Sequence, residues 1–434
     1  LVISAADAVN RSQTISKAAR RYALGLLVVV YTFNFIDRQI LAILLPAIKI
    51  EFAVDDRVLG FLAGSAFALF YATLGIPIAL IADRSNRRNL IALALAVWSG
   101  MTALSGLAAN IVHLVLARIG VGIGEAGCSP PAHSIIADYY PPERRSTAMG
   151  IYTLGISSGI MIAYLAGGWV AQNIGWREAF LIVGLPGLAL AVLVRFTMIE
   201  PQRGASENRV DTGDRPSVLN VARFLARRKS FLHMAIGSGL ASFLGYAIIS
   251  FYPSFLVRSF SMSLSSIGTY LGLILGIAGG LGFAGGGYVA DKVGRRSTRY
   301  SFHVIVAALL LAWILYFPIF FASSGYMSLS FFIIPAVFSN FYLATTFAQT
   351  QSLVPLRMRA VASALVLFIL NSIGLGFGPL LAGVLSDYLA AGYGNESMRY
   401  SLLIIGAVIG PWAAFHYFMA GKHIEHDLSR VDEV

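Results

Sequence analysis

The chain has 434 residues, of which 57% are hydrophobic and 12% charged, with a formal net charge of +11 and a mean hydropathy of +0.74. An ordinary soluble domain is about 25% charged, so a soluble globular protein, a disordered chain and a coiled coil are all excluded. The single cysteine, Cys128, excludes an intrachain disulfide.

The N-terminal segment 1–21 is polar, ends in Arg20-Arg21 and has no apolar core, so no cleavable signal peptide is expected. Crossing a bilayer takes about 20 apolar residues. Segments of that length follow at 22–46, 58–82, 89–109, 112–138, 146–171, 178–198, 231–256, 265–289, 300–322, 327–353, 360–386 and 399–420. Irregular backbone is not tolerated against lipid. The expected fold is therefore an all-α integral membrane protein with twelve transmembrane helices. The polar stretch 200–230 reads as a linker, with a surface helix near Val218–Arg228. It separates a first six-helix half, 22–199, from a second, 231–421, and a short tail, 422–434, follows.

Basic residues sort onto one side. Arg11, Lys17, Arg20 and Arg21, then Arg84, Arg87 and Arg88, Arg144 and Arg145, the run Arg195 to Lys229, Lys292 to Arg299, Arg357, Arg359, Lys422 and Arg430 share it. The other side holds Lys49, Arg57, Arg177, Arg258 and Arg399. The positive-inside rule then places both termini in the cytoplasm, in the cell's inner (plasma) membrane. The net charge reports topology, so no nucleic-acid partner is expected.

The two halves repeat each other. Ala79-Leu-Ile-Ala-Asp83-Arg84-Ser-Asn86-Arg87-Arg88 follows span two, and Gly287-Tyr-Val-Ala-Asp291-Lys292-Val-Gly294-Arg295-Arg296 follows span eight. Pro142-Glu-Arg-Arg145 is matched by Pro355-Leu-Arg-Met-Arg359, and Pro46 by Pro253. The Asp/Arg loops resemble the signature of the major facilitator superfamily. The second copy fits in full; the first departs at Ala79 and Asn86. Arg118-x-x-x-Gly122 resembles the superfamily's second motif. A narrower resemblance is to the Spinster branch, carried by Asn34-Phe-Ile-Asp37-Arg38, Gly122-Ile-Gly-Glu125-Ala and the stretch Ile135 to Tyr152. It implies a proton-driven exporter of lipids such as lysophospholipids or sphingoid phosphates, working by alternating access.

Four ionisable residues stand deep in the predicted spans: Asp37, Arg38, Arg118 and Glu125. A charge at the bilayer centre costs about 2.5–3.5 kcal/mol on insertion scales. The aligned positions of the second half, Leu244, Gly245 and about 326–339, carry none. That one-sidedness favours function over packing. Arg118 and Glu125 share one helix face across a notch at Gly122, and Asn34 is spaced to hydrogen-bond Asp37 or Arg38. The resemblance implies that spans one and four line a central cavity. A carboxyl in an apolar site prefers to be neutral, and a nearby guanidinium makes it prefer charge. Asp37 and Glu125 are thus expected to carry the proton. Arg38 and Arg118 would act as counter-charges or hold a substrate headgroup. Asn34 and Gly122 would line the cavity beside them, and Tyr246, Ser250, Asn340 and Thr346 would form the facing, neutral wall. The resemblance further implies a cytoplasmic gate built from Asp83, Arg87, Arg145, Asp291, Arg295 and Arg359.

Other signals carry less. Gly122-x-Gly124-x-x-Gly127 mimics a dinucleotide fingerprint but lies inside an apolar span with no preceding strand. Gly120-x-x-x-Gly124 reads as a packing stripe, and Pro130-Pro131 as a bend. No Walker A sequence exists, and the histidines are scattered, so neither ATP, a metal nor another cofactor is expected; the proton gradient is the energy source. The expected partners are an amphipathic lipid, protons and the bilayer, and the protein is expected to act as a monomer. The alternative is a proton symporter of small organic anions, with Arg38 or Arg118 on a carboxylate. A distant alternative is an intramembrane lipid-modifying enzyme using Glu125 and His133.

Overall fold

The computed structural model describes residues 16–203, 217–355 and 358–431, and all regular structure among them is helical. Helix α1 is Lys17–Phe52. Helix α2 runs from Asp56–Gly60 through a π-helical turn, Phe61–Ser65, into Ala66–Arg84. Helix α3 is Arg87–Ser105, α4 is Ile111–Glu125 with Ser129–Tyr139, α5 is Pro142–Asn173 and α6 is Trp176–Thr197. Helix α7, Val218–Ala226, lies in the linker. The second half holds α8, Lys229–Phe260, and α9, which is Leu264–Leu273, a π turn Ile274–Ala278 and Gly279–Gly294. Helix α10 is Thr298–Phe321, and α11 is Gly325–Phe338 with Tyr342–Ser352. Helix α12 is Arg359–Ile369, a π stretch Leu370–Phe377 and Gly378–Tyr393, and α13 is Ser397–Leu428.

Ten stretches among the described residues are long and apolar enough to cross a membrane, the last, Val361–Leu428, taking in both α12 and α13. With α3 they make the twelve spans. Large apolar side chains such as Leu93, Leu116, Phe196, Phe321 and Trp412 stand exposed. In water that surface would aggregate; in lipid it is the solvated one.

Local chemistry sets the helix ends. The Asn86 and Asn110 side chains accept the Asn89 and His113 backbone N–H groups at 2.9 and 3.0 Å, capping α3 and α4. Within α4, Gly127 N and Cys128 N turn back to Gly124 O and Glu125 O, and the helix restarts with Pro130 in its first turn. Proline lacks the donor that continuous helix needs but suits a first turn, so the expected bend is a break directly after Glu125.

The internal repeat also shows in the backbone. Helices α1 and α8 each contain a proline, Pro46 and Pro253, and each ends on a left-handed non-glycine residue, Ala53 (φ 49°) and Ser261 (φ 52°). Helices α2 and α9 each carry a π turn, the one in α9 lying a few residues further along its helix. The halves meet through two related crossings, α2 on α12 and α5 on α9. A Cβ on Gly60 would stand 2.3 Å from Pro379 O, and one on Gly268 2.2 Å from Tyr164 O, so only glycine permits this approach. Both crossings lie toward the end opposite the chain termini.

The glycine stripe of α4 packs as the spacing suggests. Gly120 faces Met101 and Gly124 faces the Trp98 backbone, where a Cβ would stand 2.6 Å from Trp98 N. Overpacking of this kind costs typically about 1–3 kcal/mol. Gly124→Val should therefore lower the thermal unfolding midpoint of the detergent-solubilised protein; an unchanged midpoint would refute this packing account.

Candidate functional site

Helices α1 and α4 bring the four intramembrane charges together. The Arg38 guanidinium donates to Glu125 Oε2 from Nη2 at 2.6 Å and from Nε at 3.1 Å. Glu125 is 1% exposed and Arg38 9%, which makes this a desolvated pair rather than a surface one. Arg38 also lies over the rings of Phe35, Phe67 and Tyr71 at 5.1, 4.9 and 4.8 Å. Arg118 lies over Phe67 at 4.9 Å, so one ring serves both guanidinium groups. Cation–π contacts of this kind gain strength when desolvated.

Arg118 lies within electrostatic reach of both Asp37 and Glu125, but its hydrogen bonds go elsewhere. It donates to the main-chain carbonyls of Asp37 and Arg38 at 3.0 and 2.9 Å. It thereby clamps α4 to α1 at the residues that carry the charges. Asp37 is fully buried, and neither of its carboxylate oxygens has a hydrogen-bond partner. Trp98 and Thr102 flank it, their own polar atoms also unpartnered. Glu125 Oε1 is likewise without a partner. The cluster holds one made ion pair and three empty carboxylate acceptor positions.

A recess between the halves is lined by Arg38, Gln39, Leu41, Ala42, Ala63, Tyr246, Ser250 and Leu375. Tyr246 and Ser250 thus take the expected place opposite the charges. Asn34, Gly122 and Thr346 do not. Asn34 is buried, its side chain beside Glu125 rather than bonded to Asp37 or Arg38. Gly122 admits the α2 backbone, a Cβ there lying 2.7 Å from Phe67 O, so it packs helices instead of lining the cavity. Thr346 is fully buried and bonds Tyr342 O and the Tyr417 hydroxyl, both at 2.7 Å, inside the second half. Asn340 donates to Ala336 O at the break in α11.

Among the described residues, the hydrogen bonds of Arg87 and Arg359 do not cross between the halves. Arg87 is buried within its own half, where it binds Glu200 Oε1, Ser134 Oγ and Pro201 O at 2.8 Å each and also pairs with Asp138. Arg145 donates to Ala137 O and Arg359 to Gln351 O, each within one half. Asp291 and Arg295 are exposed. The Asp83 side chain lies outside the described ones.

The opposite end is closed by charge, in a cluster the sequence reading missed. The Asp56 carboxylate is buried and accepts from Arg258 Nη1 and Nη2 at 2.6 and 2.5 Å, Lys49 Nζ at 2.5 Å and Ser386 Oγ at 2.7 Å. In return, Asp387 of the second half accepts the backbone N–H groups of Asp56 and Arg57 at 2.9 and 2.8 Å, capping α2 across the interface. Ser65 Oγ donates to Gly376 O, and Tyr164 Oη to Ile249 O, at 2.6 and 2.7 Å. The available signal was that two of the few basic residues on this side, Lys49 and Arg258, needed an acid, and Asp56 follows Lys49 by seven residues.

A bundle of twelve spans in two related halves, with charges sealed between them, is the architecture of a secondary transporter. Residues 27–374 match the Major Facilitator Superfamily, and the chain belongs to that family. It is similar to an MFS-type efflux pump of Mycolicibacterium smegmatis, 33% identical with 94% of each chain covered. It also resembles a crystallised bacterial homologue of the human lysosomal transporter Spinster in an inward-facing, unoccupied conformation. That likeness has a TM-score of 0.85 and 32% identity, covering 95% of this chain and 99% of the other. A probable L-galactonate transporter of Escherichia coli is 25% identical over 96% of this chain and 93% of its own. Family and fold are those of multi-pass membrane transporters, not of enzymes.

Removing one partner of a buried ion pair costs roughly 3–5 kcal/mol. Asp56→Asn leaves Lys49 and Arg258 facing each other and should open the closed end. With Cys128 replaced by serine, a cysteine at Ser250 should then react faster with a membrane-impermeant thiol reagent added from that side. An unchanged rate would show that Asp56 does not hold this end shut.

Proposed function

We propose that the protein is a proton-coupled transporter of amphipathic, anionic lipids, with lysophospholipids or sphingoid phosphates as the substrate class. The observation that carries this reading is the buried Arg38–Glu125 pair at the edge of the interhelical recess, beside an Asp37 with no hydrogen-bond partner. Protonating Glu125 removes the charge that holds Arg38, and the freed guanidinium can take an anionic headgroup. Deprotonation restores the pair and releases the headgroup. Asp37, on the adjacent position of α1, supplies a second acceptor for the proton.

The rest of the recess supports an amphipathic solute. Leu41, Ala42, Ala63 and Leu375 offer apolar surface, while Tyr246 and Ser250 offer neutral polar groups. Arg38 is the cation of that lining, because Arg118 is committed to main-chain carbonyls. The reading accords with the resemblance to the Spinster homologue. A small organic anion is the second reading, favoured by the likeness to the probable galactonate transporter; it uses the same arginine without the apolar wall.

In this proposal the arginine-rich end faces the cytoplasm of the inner membrane, following the positive-inside rule. The conformation is then inward-facing, closed outside by Asp56 and its partners. No bound cofactor is required, since the free energy comes from the proton gradient.

Purified protein in liposomes, offered lysolipids and small sugar acids with and without a pH gradient, tests the reading. Lysolipid movement that requires the gradient is expected. Sugar-acid movement alone would replace the lipid with the second reading. Glu125→Gln and Asp37→Asn should each lose the gradient-driven component while keeping the wild-type melting profile. Full gradient-driven transport in both variants would overturn proton coupling at this site.

A further inference from the structure

Two histidines take no part in the function described so far. His233 lies near the start of α8 and His416 beyond the middle of α13, both toward the chain-terminus end of the second half. They stand 183 residues apart in sequence, yet their Nδ1 atoms are 3.0 Å apart. The ring centroids are 5.1 Å apart and the planes are tilted by 42°. Packing brings them together. Gly237, one turn beyond His233, admits α13, since a Cβ there would stand 3.2 Å from His416 Cβ. Both rings are half-buried, and the exposed Trp412 and Phe415 rings flank His416 at the outer surface of the bundle. As they stand, one Nδ1 carries a proton and the other accepts it. Two imidazole nitrogens from different helices thus converge at a half-open place. Zinc takes imidazole nitrogen at about 2.0–2.1 Å in tetrahedral geometry, which sets two ligand nitrogens about 3.3 Å apart. An opening of a few tenths of an ångström would give the pair that spacing.

We infer that His233 and His416 form a two-histidine site for a borderline divalent transition-metal ion, of the class of Zn²⁺, Ni²⁺ and Cu²⁺, bridging α8 and α13. Imidazole suits these ions, whereas Mg²⁺ and Ca²⁺ take oxygen ligands. On binding, the proton of the donor Nδ1 passes by solvent exchange to Nε2 of the same ring. Both rings stay neutral, and each presents an Nδ1 lone pair to the ion. Among the described residues, no group of three or more His, Cys, Asp or Glu side chains is placed to hold a metal, so water completes the coordination. His423, two turns beyond His416, stacks on His233 with centroids 6.2 Å apart and planes at 13°. A stacked ring offers its face and not a nitrogen, so His423 packs beside the pair without being a ligand. The site is separate from the recess and from the proposed proton coupling. It joins α13 to the helix that carries Tyr246 and Ser250.

Calorimetric titration of the full-length, tag-free protein in detergent with Zn²⁺, and with Mg²⁺ as control, tests the site. Saturable Zn²⁺ binding without Mg²⁺ binding is expected. Losing even an outer-shell partner of a metal ligand typically costs 10–100-fold in affinity, so His233→Gln and His416→Gln should each weaken Zn²⁺ by at least about tenfold. His423→Gln should keep the wild-type affinity. A second measurement needs no variant to fold: the electron paramagnetic resonance spectrum of Cu²⁺ on the wild-type protein should show coupling to two imidazole nitrogens. No Zn²⁺ binding, or a Cu²⁺ spectrum without that coupling, would reduce the pair to a hydrogen bond and overturn the inference. Wild-type affinity in either His233→Gln or His416→Gln, or a loss confined to His423→Gln, would overturn it equally.

Discussion

Arg38 and Glu125 stand 87 residues apart in the chain, on different helices, and meet at 2.6 Å in a place where water is scarce. Neither charge could stay in the bilayer alone, since each would cost several kcal/mol. Their attraction offsets that cost only because the geometry is close and the guanidinium also rests on three aromatic rings. Much of the first half is arranged around this requirement. Arg118 clamps the α1 carbonyls, glycines bring α4 against α2 and α3, and the break after Glu125 turns the chain before the loop.

The same rule acts differently at the closed end. There the pair joins the two halves rather than two helices of one half. Asp56 belongs to the first half, Arg258 and Ser386 to the second, and Asp387 returns the contact by capping α2. A rigid-body motion that separates the halves at this end must break several charge-assisted hydrogen bonds together. At the terminus end, Arg87 bonds Glu200 and Arg359 bonds Gln351, neither reaching the other half. The ion pairs around Asp56 are thus the ones shown crossing the interface between the halves.

The fold was largely legible in the sequence because a bilayer imposes a coarse, length-based pattern: long apolar runs separated by short polar loops. The quartet Asp37, Arg38, Arg118 and Glu125 was legible for the same reason, as charges standing where the pattern forbids them. Their partners were less so. Arg118 turned to backbone oxygens, which carry no signal in a sequence. Asn34, Gly122 and Thr346 have residue types suited to a cavity, yet the way their helices face turns them into packing. Asp56 escaped notice because an acid in a loop is ordinary until Arg258, 202 residues away, is seen to land on it.

By itself, the sequence determined the number of spans, the duplicated halves, the superfamily signature and the presence of four charges needing compensation. Each depends on local composition or spacing, which chain order preserves. The tertiary structure decided which charges pair, which end is closed, and which polar residues face the recess. Those outcomes depend on helix rotation and on how two half-bundles lean on each other. A rotation of one helix by a single residue's angle, about 100°, exchanges a lining side chain for a packed one, and only the assembled bundle fixes it.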